Sequence, residues 1–332
     1  MRAPIVFVVR REILSEWNGE VPSTADAVDA AQHRFRRGEN NWIVQTYALL
    51  REELERRGFR PLLQSEFLPG AIAIAHWDAL NAFWSGAHRC RVIGVRADRP
   101  PLHGCDRVIV QNNIAPDTAS IRFIPHWPQP GLLPRDPGRG ARVENIAYLG
   151  RAAGAVPWMT SDNFGKQLAK LGVNLRLADS GWEDYRNLDA ILSVRPESPA
   201  MLESKPASKL TNAWLAGVPA LVGVEPAFEA LRRSELDFMR IGSARDAIAC
   251  IERLKNDPGR YLAMIRNGRE RSREFTRQAI AERWLGVIGE LGSQSRRSEA
   301  SWSHYARSLI RQKIDSFHWR RLHDQAIRHR AQ

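Results

Sequence analysis

The sequence has few cysteines and lacks any long apolar run. Its 332 residues include only three cysteines, Cys90, Cys105 and Cys250, which are widely spaced and contain no C-x-x-C pair. This number and spacing predict neither a disulfide framework nor a cysteine metal site, and favour a reducing cytoplasm. No stretch approaches the roughly 20 apolar residues of a membrane span, and the first apolar run is too short for the core of a signal peptide. We therefore expect a soluble or peripheral protein.

What the sequence does have is an excess of positive charge. Lys and Arg total 49 and Asp and Glu total 37, which gives a formal net charge of +12. The segment 296–332 has nine basic and three acidic residues, so half of the net charge lies there. Such a balance favours an anionic partner, and nucleic acid, a membrane surface and a phosphorylated small molecule all fit it.

Apolar β-type runs alternate with helical patterns twice along the chain. In the first half these runs cover 5–9, 71–77, 91–97, 107–113 and 121–127, with a helix at 42–57. In the second half they cover 145–151, 174–178, 189–195, 219–224 and 238–242, with helices between and after them. Continuously apolar strands separated by helices are typical of parallel sheets covered on both faces. The pattern therefore predicts the α/β class with two parallel-sheet domains.

A segment rich in proline and glycine separates the two patterns. Residues 125–144 contain five prolines and three glycines, a composition that excludes a helix or a central strand. We predict an N-terminal domain over 1–128, a linker over 129–144, a second domain over 145–292 and a basic helical segment over 293–332. Two such domains favour a ligand in the cleft between them, at the carboxyl ends of the strands.

The segment "ESKPASKLTNAWLAGVPALVG", residues 203–223, places polar residues before a predicted helix and strand. A helix that begins near Ser208 offers unpaired N–H groups and a positive dipole end, which favour an anion such as a diphosphate. Lys205 and Lys209 add full charges, and Ser208 can cap the helix or bind a phosphate oxygen. Arg151 and Arg195 each follow a predicted strand of the same sheet. The alternative is an ordinary capped helix with lysines that face water, and a solvated strand end at Arg195.

This segment resembles the donor-binding half of the GT-B glycosyltransferases, which have two Rossmann-like domains facing a cleft. The residues that match the family's motif are Pro206, Lys209, Asn212, Ala213, Gly217 and Pro219. Gly150 and Arg151 match the end of the family's first strand in this domain, where a Gly-Arg pair faces the donor diphosphate. Many members have a ribose-binding Glu where this chain has Asn212.

The resemblance implies a cytoplasmic, bacterial glycosyltransferase of polysaccharide biosynthesis, which moves a sugar from a nucleotide-diphosphate donor to a glycan or lipid-linked acceptor. The donor-binding residues it implies are Gly150, Arg151, Arg195, Lys205, Pro206, Ser208, Lys209 and Asn212. Basic side chains and a helix amino terminus can stabilise a leaving diphosphate without a metal ion. Because no D-x-D motif follows a predicted strand, we expect neither a metal nor a cofactor.

Candidates for a catalytic base and for acceptor contacts lie in the first half of the chain. The base candidates are His76, Asp78 and His126, at ends of predicted strands. Each also has a purely structural interpretation, such as a packed turn at His76 or a fixed linker at His126. The acceptor-side candidates are Asn18, Gly19 and Glu20, in the loop expected after the first strand, and Asn41 at the start of the next helix.

The basic C-terminal segment has apolar residues near helical spacing, among them Tyr305, Leu309, Ile314 and Phe317, which predicts an amphipathic helix. In GT-B proteins a C-terminal helix often crosses back onto the first domain, and a basic amphipathic helix can also lie on anionic lipid at the inner face of a membrane. A different class also fits: a non-catalytic or nucleic-acid-associated protein on a degenerate GT-B scaffold, with binding that weakens steeply with salt. We favour the nucleotide-sugar donor over nucleic acid.

Overall fold

The computed structural model describes residues 3–36, 38–81, 86–197, 199–293 and 302–328. The chain divides into two compact units. Unit 1 consists of Met1–His126, Ser204–Pro206 and Ile280–Gln332, and unit 2 consists of Trp127–Glu203 and Ala207–Ala279. Each unit contains one sheet in which all strand pairs are parallel. The predicted α/β class with two parallel sheets is confirmed.

The sheet of unit 1 has six strands within the described residues, in the order β2-β1-β3-β4-β5-β6. These strands are β1 (Ile5–Val8), β2 (Pro61–Gln64), β3 (Ile72–His76), β4 (Arg91–Val95), β5 (Arg107–Val110) and β6 (Ile121–Phe123). All residues of β1 and β3 are buried, because these are central strands with both faces covered.

The sheet of unit 2 has five strands within the described residues, in the order β11-β10-β9-β7-β8. These strands are β7 (Asn145–Leu149), β8 (Asn174–Ala178), β9 (Ala190–Ser193), β10 (Ala220–Val222) and β11 (Met239–Arg240). Its core includes Ile146, Leu192 and Leu221 from the strands, together with Phe164 and Ile251 from the covering helices.

Helices cover both sheets and follow the last strand. The α-helices of the described residues are α1 (Arg11–Trp17), α2 (Ala25–Ala30), α3 (Gln45–Arg56), α4 (Trp77–Leu80), α5 (Asp162–Lys170), α6 (Pro199–Leu202), α7 (Ser208–Ala216), α8 (Pro226–Glu229), α9 (Ala244–Asn256), α10 (Pro258–Ser272), α11 (Arg277–Ser293) and α12 (Trp302–Arg328). A π-helical turn, Asn40–Val44, leads into α3. Short 3-10 turns occupy Gln32–Phe35, Ala87–Arg89, Pro137–Arg139, Ala152–Gly154, Pro157–Thr160 and Arg273–Phe275.

Two elements of unit 1 differ from the sequence-based expectation. Helix α1 follows β1 after two residues, so the loop that contains Asn18 comes after a helix and not directly after the first strand. Asn18 ends this helix in the left-handed conformation, with φ of 46°, which asparagine tolerates better than most residues. Strand β2 has no counterpart in the predicted series, because its sequence PLLQ is short and begins with proline. It lies at the edge of the sheet, where proline is tolerated.

The predicted return of the C-terminal helix to the first half of the chain is confirmed. Tyr305 and Leu309 of α12 belong to the same apolar core as Val6 and Val8 of β1. His103 Nε2 lies 2.6 Å from Asp315 Oδ2 of α12. None of the helices in the described ranges combines the length and the apolar character that crossing a membrane requires.

Candidate functional site

Three neighbouring strands of unit 2 bring their carboxyl ends to one edge of the sheet. Strand β9 lies between β10 and β7, and all three run in the same direction. Gly150 and Arg151 follow β7, Arg195 follows β9, and Glu225 follows β10. This is the edge of an open parallel sheet at which ligands bind.

Lys209, in the first turn of α7, lies over the end of β7. Its Nζ is 4.2 Å from the centroid of the Tyr148 ring, a cation–π distance. A Cβ atom at position 150 would lie 3.1 Å from the same Nζ, so the absence of a side chain at Gly150 leaves room for the lysine. Burial raises the pKa of Tyr148 to about 12.

Helix α7 begins after a residue that has no polar side chain. Ala207 is its N-cap residue and makes no side-chain capping hydrogen bond, while its backbone carbonyl accepts a hydrogen bond from the N–H of Leu210 at 3.0 Å. Ser208 is the first helical residue, so the expectation that it caps the helix is wrong; its backbone carbonyl accepts a hydrogen bond from Thr211 Oγ1 at 3.2 Å. The amino end of a helix carries a partial positive charge that favours an anion.

Arg195 forms an ion pair with Glu225, a residue that the sequence patterns did not indicate. Nη1 of Arg195 donates to Oε2 of Glu225, and the two side chains are only 10% and 2% exposed. Arg195 is therefore not a solvated strand end. Its guanidinium carbon lies 5.6 Å from the centroid of the Phe228 ring, which packs beside the pair.

Glu225 has one carboxylate oxygen that its protein neighbours leave unused. Oε1 is buried and has no hydrogen-bond partner among the described residues. Burial raises the pKa of Glu225, although the nearby charges of Arg195 and Lys209 oppose that rise. A buried acceptor without a partner is costly unless another group meets it, so Oε1 can accept a hydrogen bond from a hydroxyl or N–H group of a ligand.

Asn212 is on the buried side of α7. Its Oδ1 accepts a hydrogen bond from the backbone N–H of Gln129 at 3.2 Å, so the amide holds the segment that follows Trp127 against this helix. The predicted contact with a ribose or sugar would have to use the amide nitrogen, and it stays a prediction. Arg151, by contrast, is exposed at the start of the turn Ala152–Gly154.

Lys205 and Pro206 lie in the short segment that belongs to unit 1. Nζ of Lys205 is 3.5 Å from Oδ2 of Asp98. Its backbone carbonyl accepts a hydrogen bond from Nδ2 of Asn112 at 3.2 Å. The structure thus places Lys205 beside a carboxylate of unit 1, whereas Gly150, Arg195 and Lys209 lie together in unit 2.

In unit 1, His76 and Asp78 lie together at the carboxyl end of β3. His76 is 1% exposed, and its Nδ1 is 3.1 Å from the backbone nitrogen and 3.3 Å from Oδ2 of Asp78. Arg99 donates two hydrogen bonds to the Asp78 carboxylate, at 2.9 and 3.1 Å. Burial alone would raise the pKa of Asp78, but the hydrogen bonds from His76 and Arg99 hold it well below its usual range.

A second charged pair lies at the end of the neighbouring strand. The buried carboxylate of Glu39 accepts hydrogen bonds from the backbone nitrogen and from Nε of Arg10, at 3.2 and 2.7 Å. Arg10 follows β1, which pairs with β3. Two cations and two carboxylates lie at this edge of the sheet: Arg10, Glu39, Asp78 and Arg99. A proton transferred to His76 would therefore lie beside the Asp78 carboxylate, which stays ionised.

The remaining candidates lie elsewhere in unit 1. His126 follows β6, and its ring centroid is 4.2 Å from that of Trp42 in an edge-on arrangement. Asn41 is half-buried in the π-helical turn before α3. Residues 18–20 are exposed, and the N–H of Glu20 donates to the Trp17 carbonyl at 2.7 Å. The roles of these positions stay predictions.

The chain has the two-sheet fold of known GT-B glycosyltransferases. A glycosyltransferase from Rickettsia africae matches with a TM-score of 0.52 and 10% sequence identity, over 89% of this chain and 100% of that chain. Anabaena Alr3699/HepE, in a complex with UDP, matches with a TM-score of 0.50 and 11% identity, over 87% of this chain and 100% of that chain. At such identities the likeness establishes the fold alone.

Some matched structures are considerably longer than this chain. The match to the GtfA/B complex, with a TM-score of 0.46 and 11% identity, covers 77% of this chain but only 61% of that chain. No protein-family model matches the sequence, and no curated protein matches it either.

Proposed function

We propose that the protein is a glycosyltransferase that transfers a sugar from a nucleotide-diphosphate donor to a glycan or lipid-linked acceptor. The observation that carries this proposal is the position of Lys209, in the first turn of α7, with its Nζ 3.1 Å from where a Cβ atom at position 150 would lie. A diphosphate at this place would meet a full positive charge, the positive end of the α7 dipole and the backbone of Gly150, which has no side chain.

These groups fit the chemistry of glycosyl transfer. When the bond between the sugar and the diphosphate breaks, negative charge develops on the leaving diphosphate. Groups that already point at that place stabilise this charge with little reorganisation. We propose that Lys209 and the amino end of α7 do so, that Arg151 and Ser208 add contacts, and that Glu225 holds Arg195 in place beside them. On this account the reaction needs neither a metal ion nor a cofactor.

We further propose that unit 1 supplies the acceptor contacts and, for an inverting reaction, the base. With the proton of its ring on Nδ1, His76 would accept a proton from an acceptor hydroxyl at Nε2, and Asp78 would stabilise the imidazolium that forms. Arg99 is a positioning residue in this scheme because its contact is with Asp78. His126, Asn41 and residues 18–20 are the remaining proposed acceptor-side positions.

The proposed setting is bacterial polysaccharide biosynthesis in the cytoplasm, with a peripheral contact between the C-terminal segment 293–332 and the inner face of the membrane. The positive charge of this segment supports that setting.

A thermal-shift panel of UDP-, GDP- and dTDP-sugars tests the proposed function. A ligand that binds the native state at a concentration of about a hundred times its Kd stabilises it by about 2.7 kcal/mol, so at least one nucleotide sugar should raise the Tm. Single-stranded and double-stranded DNA at several salt concentrations form the comparison. If no nucleotide sugar raises the Tm, and if the protein binds DNA with an affinity that falls steeply as salt increases, the nucleic-acid alternative replaces the glycosyltransferase.

A further inference from the structure

Helix α12 is attached to unit 1 by one face. Tyr305, Leu309, Gln312 and Ser316 are buried along this face, at a spacing that places them on one side of a helix. Oε1 of Gln312 accepts a hydrogen bond from the backbone N–H of His103 at 3.3 Å. The apolar and polar contacts together fix which side of the helix is turned outward.

The outward side carries a stripe of large apolar side chains. Ile310, Ile314 and Phe317 are 52%, 52% and 66% exposed. Because each residue adds about 100° of rotation, these three lie within about 60° of one another around α12, about 80–140° from Leu309 and about 140–160° from Gln312. Single exposed apolar residues are common on proteins, but three in a row along one helix form a continuous surface.

Exposed cations flank this stripe on both sides. Lys313 and Arg320 lie along one margin, and Arg307 and Arg311 lie along the other. Lys313 also donates to the backbone carbonyl of Asn81 at 3.1 Å, which keeps its charge beside the helix. We call Ile310, Ile314 and Phe317 with these four cations the outer face of α12.

We propose that the outer face of α12 docks on an anionic lipid bilayer, with the helix axis parallel to the membrane plane. The apolar stripe would enter the boundary between headgroups and acyl chains, and the flanking cations would meet anionic headgroups at the same depth. This proposal names the residues that would form the peripheral membrane contact of the proposed function. It rests on that function only in so far as the lipid-linked acceptor comes from it.

Charge favours a lipid surface over a second copy of this chain. Two outer faces packed against each other would bring eight like charges together around a narrow apolar stripe, and like charges at an interface oppose association. An anionic membrane matches both properties of the face at once. Nucleic acid would match the cations but would leave Ile314 and Phe317 without an apolar partner.

Vesicle co-sedimentation with the full chain tests this proposal. The vesicles contain phosphatidylcholine alone or phosphatidylcholine mixed with phosphatidylglycerol, at about 0.1 M and about 1 M salt, where the screening length falls from about 10 to about 3 Å. One variant replaces the apolar stripe (Ile310→Ser, Ile314→Ser, Phe317→Ser) and a second replaces two cations (Arg307→Gln, Arg311→Gln). The matched control, Leu262→Ser with Arg266→Gln, changes an exposed leucine and an exposed arginine on α10 of unit 2.

The wild type and the control should bind the phosphatidylglycerol vesicles, and binding should weaken at high salt and on phosphatidylcholine alone. Removing the two arginines should weaken vesicle binding by more than about tenfold, since each charge near an anionic surface contributes about fivefold to the affinity. Removing the apolar stripe should weaken vesicle binding by at least as much. Light scattering and circular dichroism check the mass and folding of each variant.

Three results would overturn the proposal: no vesicle binding by the wild type, equal loss in the control, or a wild-type dimer that becomes monomeric in the apolar variant while vesicle binding persists. The thermal shift with nucleotide sugars is measured on the same samples. It should be unchanged in the variants, so a failure of membrane docking and a failure of the donor site are distinguishable.

Discussion

The proton on Nδ1 of His76 decides whether this residue can act as a base. The two contacts of Nδ1 require opposite states, because it accepts from the backbone N–H of Asp78 only without a proton and donates to Oδ2 only with one. In the second state Nε2 has a free lone pair. Arg99 favours the ionised Asp78 carboxylate, and an ionised carboxylate can accept a hydrogen bond from an N–H group at Nδ1.

Asp78→Asn tests this arrangement. An amide cannot stabilise an imidazolium as a carboxylate does, so we expect the transfer rate to fall by at least about a hundredfold, with the affinity for the donor unchanged. Steady-state kinetics and donor titration separate the two effects. Glu252→Gln, an exposed carboxylate on α9, is the control. An unchanged transfer rate in Asp78→Asn would remove His76 and Asp78 from the mechanism.

The same substitution has a pH signature in stability. The pKa of Asp78 is lowered in the folded protein, so its contribution to folding is fully present above the unfolded value of about 3.9 and is lost as the pH falls through the folded value. We expect Asp78→Asn to cost about 2 kcal/mol at pH 7. The difference from wild type in urea unfolding should shrink as the pH falls below about 4.

Single residues of the sites were only partly predictable from the sequence. His76 and Asp78 are two positions apart at a strand end, so their proximity could be read from the chain. Arg99 contacts Asp78 from 21 positions away, and Arg195 contacts Glu225 from 30 positions away. Such pairs depend on how the strands come together, and no local spacing indicates them.

A buried carboxylate holds the Pro- and Gly-rich segment to the sheet of unit 2. Asp189, which precedes β9, is fully buried. Its carboxylate accepts hydrogen bonds from Arg135 at 2.8 Å, from Arg139 at 2.8 Å and from the backbone N–H groups of Glu144 and Asn145 at 2.8 and 2.9 Å. The segment expected to be a linker is thereby fixed at the amino ends of β7 and β9.

Asp189→Ala should destabilise this element strongly. Removing the carboxylate leaves two arginines without their partner, and breaking a buried ion pair costs about 3–5 kcal/mol. Burial would raise the pKa of Asp189, but Arg139 and the backbone N–H groups lower it, so the contribution is present above about pH 4 and is lost in acid. Urea unfolding at pH 7 measures the cost.

The control for this measurement is Asp184→Ala. Asp184 forms a pair with Arg186 at 2.8 Å, and the two side chains are 31% and 60% exposed. An exposed pair contributes at most about 1 kcal/mol. Equal losses in the two variants would contradict the role assigned to Asp189.

Elements with a clear periodicity were predicted well, and elements without one were missed. The apolar run of β1 and the helix and strand of residues 208–222 agree with their predicted positions. Helix α1 was missed because its seven residues begin only two residues after a strand and bury only Trp17. Strand β2 was missed because burial in it is confined to Pro61, the remaining three residues being half-buried.

The two units carry different parts of the proposed chemistry. Unit 2 contains Lys209, Arg195 and Glu225, and unit 1 contains His76 with Asp78 and the basic helix α12. The alternation of strands and helices predicted the presence of two sheets. It did not predict that α11 from Ile280 onward and residues 204–206 belong with unit 1, because that grouping depends on long-range packing and on contacts such as that of Asn112 with Lys205.

Calorimetric titration of UDP, GDP and dTDP tests the central claim, which is that Lys209 at the amino end of α7 binds a diphosphate. The proteins are the wild type, Lys209→Ala, and Lys170→Ala as a control at an exposed lysine of α5. We expect the wild type and the control to bind at least one diphosphate equally, and Lys209→Ala to bind it at least about tenfold more weakly, since a hydrogen bond from a charged group contributes about 1.5–3 kcal/mol. Binding of none of the three nucleotides, or undiminished binding by Lys209→Ala, would contradict the account.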